Sequence, residues 1–295
     1  MTSETKTSPG KQLRLALSQG PVAIPGVFNA LTAKLAERKG FAVLYQSGAA
    51  LSAGWAGLPD IGLVTQTEFA EQARSLTSAV KVPIISDADT GFGAALAVQR
   101  TVQLFEAAGL AGLHIEDQEL PKRCGHLSGK SLITTAEMTQ KIRAAVAGRS
   151  DPDFVIIART DARSVDGLPA AIERAHAYID AGADVIFPEA LETAEEFAAF
   201  ARAVNVPLIA NMTEFGKSPL LTLAELGKLG YAGVLFPVTL LRTAMHAVEQ
   251  MLEEIVKQGT QQHKLAKMMT RAELYDLLGY RDYEERDQSF FGGKD

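Results

Sequence analysis

Eight short apolar runs punctuate the chain, and each gives way to polar residues at its end. They are PVAI at 21–24, FAVLY at 41–45, VPIIS at 82–86, AGLHI at 111–115, FVIIA at 154–158, DVIF at 184–187, VPLIA at 206–210 and AGVLF at 232–236. The runs are continuous rather than alternating, the pattern of strands buried on both faces. Between them the period lengthens to that of a helix. Leu168, Ile172, Ala175 and Ile179 fall on one stripe, as do Met245, Val248, Leu252 and Ile255. Gly40, Gly109, Gly182 and Gly230 stand where helical segments end before the next strand. Thr134, with Glu137 three residues on, marks the start of a helix over 135–147.

Eight strand–helix units in about 250 residues predict an α/β fold of the (β/α)8, TIM-type barrel class. A doubly wound sheet is the rival, but even spacing favours closure. The chain reads as one domain, 1–295. Its segment 258–295 forms a C-terminal helical extension, with a helix near 271–278 that packs on a neighbouring element or subunit. In barrels of this kind the chemistry sits at the strand C-terminal ends. Those ends carry Asn29, Tyr45, Ser47, Asp87, Asp89, Glu116, Asp117, Arg159, Asp161, Glu189, Asn211 and Thr213.

Composition narrows the class. The chain is 47% hydrophobic and 22% charged, enough for a large core and a solvated surface. A net charge of −6 argues against nucleic acid and anionic membranes as partners. A single cysteine makes no internal disulfide and fits a reducing compartment. The first ten residues, MTSETKTSPG, lack the apolar core of a secretory leader. The longest apolar stretch, YAGVLFPVTLL from Tyr231, is too short to span a bilayer. The expectation is a soluble cytoplasmic protein.

Two stretches carry candidate chemistry. SDADTGFG at 86–93 places Asp87 and Asp89 just past a strand, as hard oxygen ligands suited to Mg²⁺ or, alternatively, Mn²⁺. A capping turn with solvated acids is the plainer reading. Glu116 and Asp117 end the neighbouring strand, about 4.8 Å away. So many acids on one rim repel one another unless a cation lies among them. The second stretch, PKRCGHLSGKS at 121–131, holds the lone Cys124 in a segment from Gln118 to Thr134. That segment is far longer than the usual βα loop of about 2–6 residues, the form of a lid. Lone cysteines are most often small buried hydrophobes, but these flanks are polar. Lys122, Arg123 or a protonated His126 would favour thiolate and orient an anionic substrate. Nucleophile, proton donor and redox switch stay open, although no C-x-x-C is present. GHLSGKS imitates a phosphate-binding loop but has Cys124 where that motif needs glycine. Arg159, at a strand end, is a candidate carboxylate clamp. Arg242 and Arg271, taken alone, read as surface arginines.

YQSGAAL, LPDIGL, DADTGFG, GLHIEDQ, KRCGH, IIARTDA, FPEA and NMTEFG occur here in the order found in the isocitrate lyase and phosphoenolpyruvate mutase superfamily. The chain resembles that superfamily from about Ser8 to YEE at 283–285. KRCGH resembles the motif of its lyases, which its mutases and phosphonopyruvate hydrolases lack. The compact length resembles the methylisocitrate-cleaving branch rather than the longer isocitrate lyases. The resemblance implies Mg²⁺-dependent cleavage of (2S,3R)-2-methylisocitrate to pyruvate and succinate, in propionate catabolism. It implies a barrel whose eighth helix is exchanged between subunits of a homo-oligomer, a dimer of dimers. It implies that Asp87 and Asp89 hold the metal, with Asp60 and Glu116 reaching it through water. It implies substrate contacts from Ser47, Gly48, Ala49, Cys124, Gly125, Arg159, Glu189, Asn211, Met212, Thr213, Arg242 and Arg271. Ala49 stands where many relatives have glycine. In this scheme the catalytic residues are Cys124, which delivers a proton to the succinate carbon, Lys122 and His126, which attract the acid substrate and tune the thiol, and Tyr45, a candidate base. The alternatives are a lyase of the same superfamily acting on isocitrate, 2,3-dimethylmalate or oxaloacetate, and a non-catalytic dicarboxylate sensor. KRCGH argues against oxaloacetate.

Overall fold

A computed structural model describes residues 7–291. Residues 1–6 and 292–295, part of the expected 1–295 domain and of the leader reading, lie outside it. Eight parallel strands form one sheet: β1 (Val22–Val27), β2 (Leu44–Gln46), β3 (Ile84–Asp87), β4 (Gly112–Glu116), β5 (Val155–Thr160), β6 (Val185–Pro188), β7 (Ile209–Asn211) and β8 (Gly233–Phe236). Their order is β6-β5-β4-β3-β2-β1-β8-β7, and an isolated parallel bridge, Ile186 to Leu208, joins the β6 and β7 edges into a barrel. The strands start up to three residues later than the apolar runs, and several end later. Pairing is a backbone property, so the ladder continues into Gln46, Asp87, Glu116 and Arg159, whatever their side chains.

The helices are α1 (Pro9–Ser18), α2 (Ala30–Arg38), α3 (Gly48–Leu51), α4 (Gln66–Ala79), α5 (Ala95–Ala107), α6 (Thr135–Gly148), α7 (Arg163–Asp166), α8 (Leu168–Asp180), α9 (Ala194–Ala203), α10 (Leu223–Lys228), α11 (Thr239–Gln258), α12 (Arg271–Leu278) and α13 (Tyr280–Phe290). Gly40, Gly109, Gly182 and Gly230 do end helices, with φ from 87° to 106°, a region closed to most side chains. Thr134 caps α6 by accepting the Glu137 N–H at 3.1 Å. The sequence reading missed α1. Its Leu13 and Leu17 belong to the apolar cluster inside the barrel, with Ile24, Val155 and Ile157.

Two long helices diverge. On α8 the buried residues are Ala171, Ala175 and Tyr178, one step round from the expected stripe, because small alanines let the helix approach the sheet. On α11 only Leu241 is buried, and Met245, Val248, Leu252 and Ile255 are exposed. α12 docks on α2, where Asp276 pairs with Arg38 at 2.9 Å and Leu277 is buried.

Candidate active site

Strand parity builds the site. On β5, Ile156 and Ala158 face the helices, while Val155 and Ile157 face the barrel interior. Two residues beyond Ile157, the same parity turns Arg159 inward. Tyr45, Asp87, His114, Glu116, Phe187 and Asn211 follow from the same alternation on their strands. Register then sets neighbours: Glu116 pairs with Arg159, Arg159 with Phe187, Asp87 with His114 and Asn211 with Leu235. The pocket at this barrel end is lined by Tyr45, Ser47, Ala49, Asp60, Asp87, Glu116, Lys122, Arg123, Cys124, Gly125, His126, Arg159, Phe187, Glu189, Asn211, Thr213, Leu235, Pro237, Val238 and Arg242.

One wall is acidic. The Lys122 ammonium lies 2.6 Å from Asp89 and pairs with Asp60. Its attraction to the buried acids around it, Glu116 first, outweighs desolvation and keeps it charged. Burial, then repulsion from Asp87, pushes the Asp89 carboxyl up to about 7. Asp87 stays below the usual range despite its burial, drawn down by His114, Lys122 and Arg159. Tyr45 donates to Asp87 at 3.3 Å, and its oxygen lies 2.9 Å from His114 Nε2. Burial, then Asp87, raises the Tyr45 phenol well above its ordinary value, so it carries its proton. Glu116 Oε1 is buried and makes no hydrogen bond, and Asp89 Oδ1, also buried, meets only the Lys122 ammonium. Such oxygens fit a hard divalent cation, which takes carboxylate and water oxygen. Among the described residues, no three ligand side chains already converge at metal-ligand distance.

The adjoining wall centres on Arg159. It pairs with Asp161 at 2.9 Å, Glu116 at 3.4 Å and Glu189 at 3.5 Å. Asn211 Nδ2 donates to both Glu189 oxygens at 3.2 Å. Arg159, then His126 and Lys130, hold the Glu189 carboxyl well below its usual range although it is buried.

The segment between β4 and α6 folds over the pocket. Its ends are zipped: Glu119 N–H donates to Ser131 O at 2.8 Å and Ile133 N–H to Asp117 O at 3.0 Å. His126 Nε2 lies 2.9 Å from Glu189 Oε1, while its Nδ1 accepts the Lys217 N–H at 2.9 Å. A neutral His126 therefore carries its proton on Nε2. This links the lid to the β7–α10 loop. Gly216 permits the approach, because a Cβ there would sit 2.6 Å from His126 Nδ1. Gly125 is equally constrained, its Cβ position being 2.4 Å from an Arg159 nitrogen. Cys124 is open to solvent at the pocket mouth. Desolvation by the surrounding walls, then Glu189, raises its thiol above the ordinary value. The cations therefore do not make it a thiolate: Lys122 is committed to acids, and Arg159 already meets three.

Most of the expected residues thus converge. Asp89 stands behind Lys122. Gly48 passes under Asp87, with its Cβ position 2.5 Å from Asp87 Oδ2. Met212 is not a side-chain contact. Parity sends it into the helix–sheet core, where its sulfur accepts the Leu221 N–H at 3.3 Å. Arg271 begins α12, exposed, and does not line this pocket. The sequence reading missed His114, Phe187, Leu235, Pro237 and Val238. Parity with the polar strand ends could have found His114 and Phe187. It also missed Gln118 and Lys130, for which no local signal exists.

A family model described as phosphoenolpyruvate phosphomutase matches residues 13–256. The chain belongs to that family. It is 52% identical to a 2-methylisocitrate lyase of Aeropyrum pernix (strain ATCC 700893 / DSM 11879 / JCM 9820 / NBRC 100138 / K1) over 280 residues, covering 95% of this chain and 90% of that one. Among solved structures, a 2,3-dimethylmalate lyase, a phosphoenolpyruvate mutase/isocitrate lyase superfamily member, superposes with a TM-score of 0.90 at 34% identity, covering 98% and 99% of the two chains. A phosphonopyruvate hydrolase complexed with oxalate and Mg²⁺ gives 0.85 at 34% identity, covering 96% and 98%. Among the described residues no helix is long and apolar enough to cross a membrane.

Proposed function

We propose that this family member is a carbon–carbon lyase that cleaves the C2–C3 bond of 2-methylisocitrate to pyruvate and succinate, in propionate catabolism. One observation carries the reading: the Cys124 thiol and a wall of buried carboxylates line the same pocket. The 52% identity to a 2-methylisocitrate lyase supports the substrate. Phe187, Leu235, Pro237 and Val238 also line the pocket and offer apolar surface for the substrate methyl.

Asp87 and Asp89, with Asp60 and Glu116, would hold Mg²⁺. When bound, the ion supplies Lewis-acid stabilisation of oxygen charge, worth several kcal/mol. The protein's own groups do the rest. Arg159, Asn211 and Arg242 present donors to the substrate carboxylates and to the dianion that forms as the bond breaks. Ser47, Ala49, Gly125 and Thr213 shape the walls around them. Electrons from the breaking bond collect on the succinate carbon, and Cys124 delivers its proton there. The raised thiol suits a donor that must be neutral beforehand. His126, on Glu189, and Lys122, on Asp60 and Asp89, tie the segment that carries Cys124 to the pocket walls. Tyr45, the candidate base, carries its own proton beside Asp87 and His114, so it would take the substrate hydroxyl proton only as a relay, passing its own to His114 Nε2, 2.9 Å away.

The reading takes residues 1–295 as one barrel domain with 258–295 as its extension. It includes exchange of α11 with a second copy, because the α11 stripe has no cover among the described residues. Arg271, on the same arm, would reach a pocket only in such an assembly. The 2,3-dimethylmalate lyase neighbour favours that acid as the second reading. Incubation of the purified protein with 2-methylisocitrate, isocitrate and 2,3-dimethylmalate, with pyruvate and glyoxylate measured separately, decides. Pyruvate from the first at the highest kcat/KM is expected. Failure to release it overturns the reading.

A further inference from the structure

The backbone that carries Cys124 is gripped on both sides by buried side chains that the chemistry above does not use. Before the thiol, the Gln118 amide clamps the Arg123 peptide: its Nε2 donates to Arg123 O at 2.8 Å and its Oε1 accepts the Arg123 N–H at 2.9 Å. After it, the Lys130 ammonium donates to Gly125 O. The same ammonium donates to Asp161 Oδ1 at 2.6 Å, with both side chains almost fully buried. Asp161 in turn accepts from Arg159 at 2.9 Å and 3.2 Å. One chain of charge-assisted bonds therefore runs from the pocket's central guanidinium to the peptide beside the thiol. A buried pair of this kind is costly to desolvate and is weak evidence for stability alone. Its geometry serves placement.

We propose that Lys130 is a positioning residue: seated on Asp161, it holds the Gly125 carbonyl and thereby fixes Cys124 over the pocket, with Gln118 as the second grip. Lys130 touches no substrate and acts through the loop. The kinetic part of the proposal rests on the lyase reading. The structural part does not.

Lys130→Met tests it. Asp161 keeps Arg159 as its counter-charge, so the fold has no unpaired acid to bury. With the thiol displaced by about 1 Å, kcat is expected to fall about 10²-fold, while KM changes little because the barrel-floor contacts remain. Lys130→Arg is expected to recover part of kcat. The independent readout is trypsin cleavage after the exposed Arg123 in the substrate-free protein. It tracks local opening of the loop and is expected to accelerate several-fold. Unchanged cleavage overturns the proposal, as does a kcat near that of the unaltered protein. If Lys130→Met does not fold, Gln118→Leu, which strands no buried charge, carries the same two readouts. If the unaltered protein releases no pyruvate, the lyase reading fails alone, and the cleavage comparison still decides whether Lys130 holds the loop.

Discussion

α8 and α11 carry the same kind of apolar stripe and meet opposite fates. α8 lies against its own sheet, where Ala175 and Tyr178 are fully buried. α11 leaves the barrel after its first turns, and Leu252 stays 58% exposed and Val256 85%. Charges divide in the same way. Lys122 and Arg159 are buried among acids, whereas Lys257 and Glu253 on α11 form an exposed i,i+4 pair at 3.2 Å, of a kind worth only about 0.3–0.5 kcal/mol. Periodicity therefore marks a surface that needs cover without saying who covers it. An exposed apolar stripe this long belongs against a partner, and the helix exchange proposed above would make that partner a second copy.

The sharpest contrast is expected at the pocket. EDTA should abolish turnover and Mg²⁺ should restore it, with no change in the helical signal. Undiminished activity in a metal-free sample would remove the acidic wall from the mechanism. Cys124→Ser should lower kcat by about 10²–10⁴-fold, the range for a general acid, while product binding survives. Next come matched substitutions on the two helices. Ala175→Asp buries an unpaired charge under α8 and should unfold the barrel or lower its Tm sharply. Leu252→Asp on α11 should leave secondary structure intact and shift the mass by light scattering toward the single chain. Equal effects from the two would erase the distinction between the helices. A smaller effect concerns the thiol. Its raised pKa predicts slow alkylation near neutrality, with the rate rising at a pH above the ordinary thiol range of about 8–9. The smallest lies at the helix caps. Glu225 is held below its usual pKa by the Thr222 N–H, then the Thr222 hydroxyl. Its contribution is present above the unfolded Glu pKa and lost as pH falls through the lowered folded value. Thr222→Ala should therefore lower Tm slightly at neutral pH, by an amount that shrinks on acidification.

Much of this was legible without coordinates. Eight apolar runs announced eight strands because burial on both faces leaves that mark. Their polar ends named Asp87, Glu116, Arg159 and Asn211 because strand parity is local. The boundaries slipped where backbone pairing ran on into polar residues. Met212 turns its side chain away from the pocket because neighbours in sequence face opposite ways along an extended chain, and the resemblance carries no such parity.

Local periodicity and motif order thus settled the barrel, the acidic strand ends and the thiol loop, since each depends on residues within a few positions of one another. Closure of the barrel settled the rest. It seated Lys122 among acids, ran Lys130 back to Gly125 and across to Asp161, set His126 between Glu189 and Lys217, and left α11 without cover among the described residues. Those relations join residues far apart along the chain, and spacing carries no record of them. They arise only when packing brings charges into a space where each must find a partner.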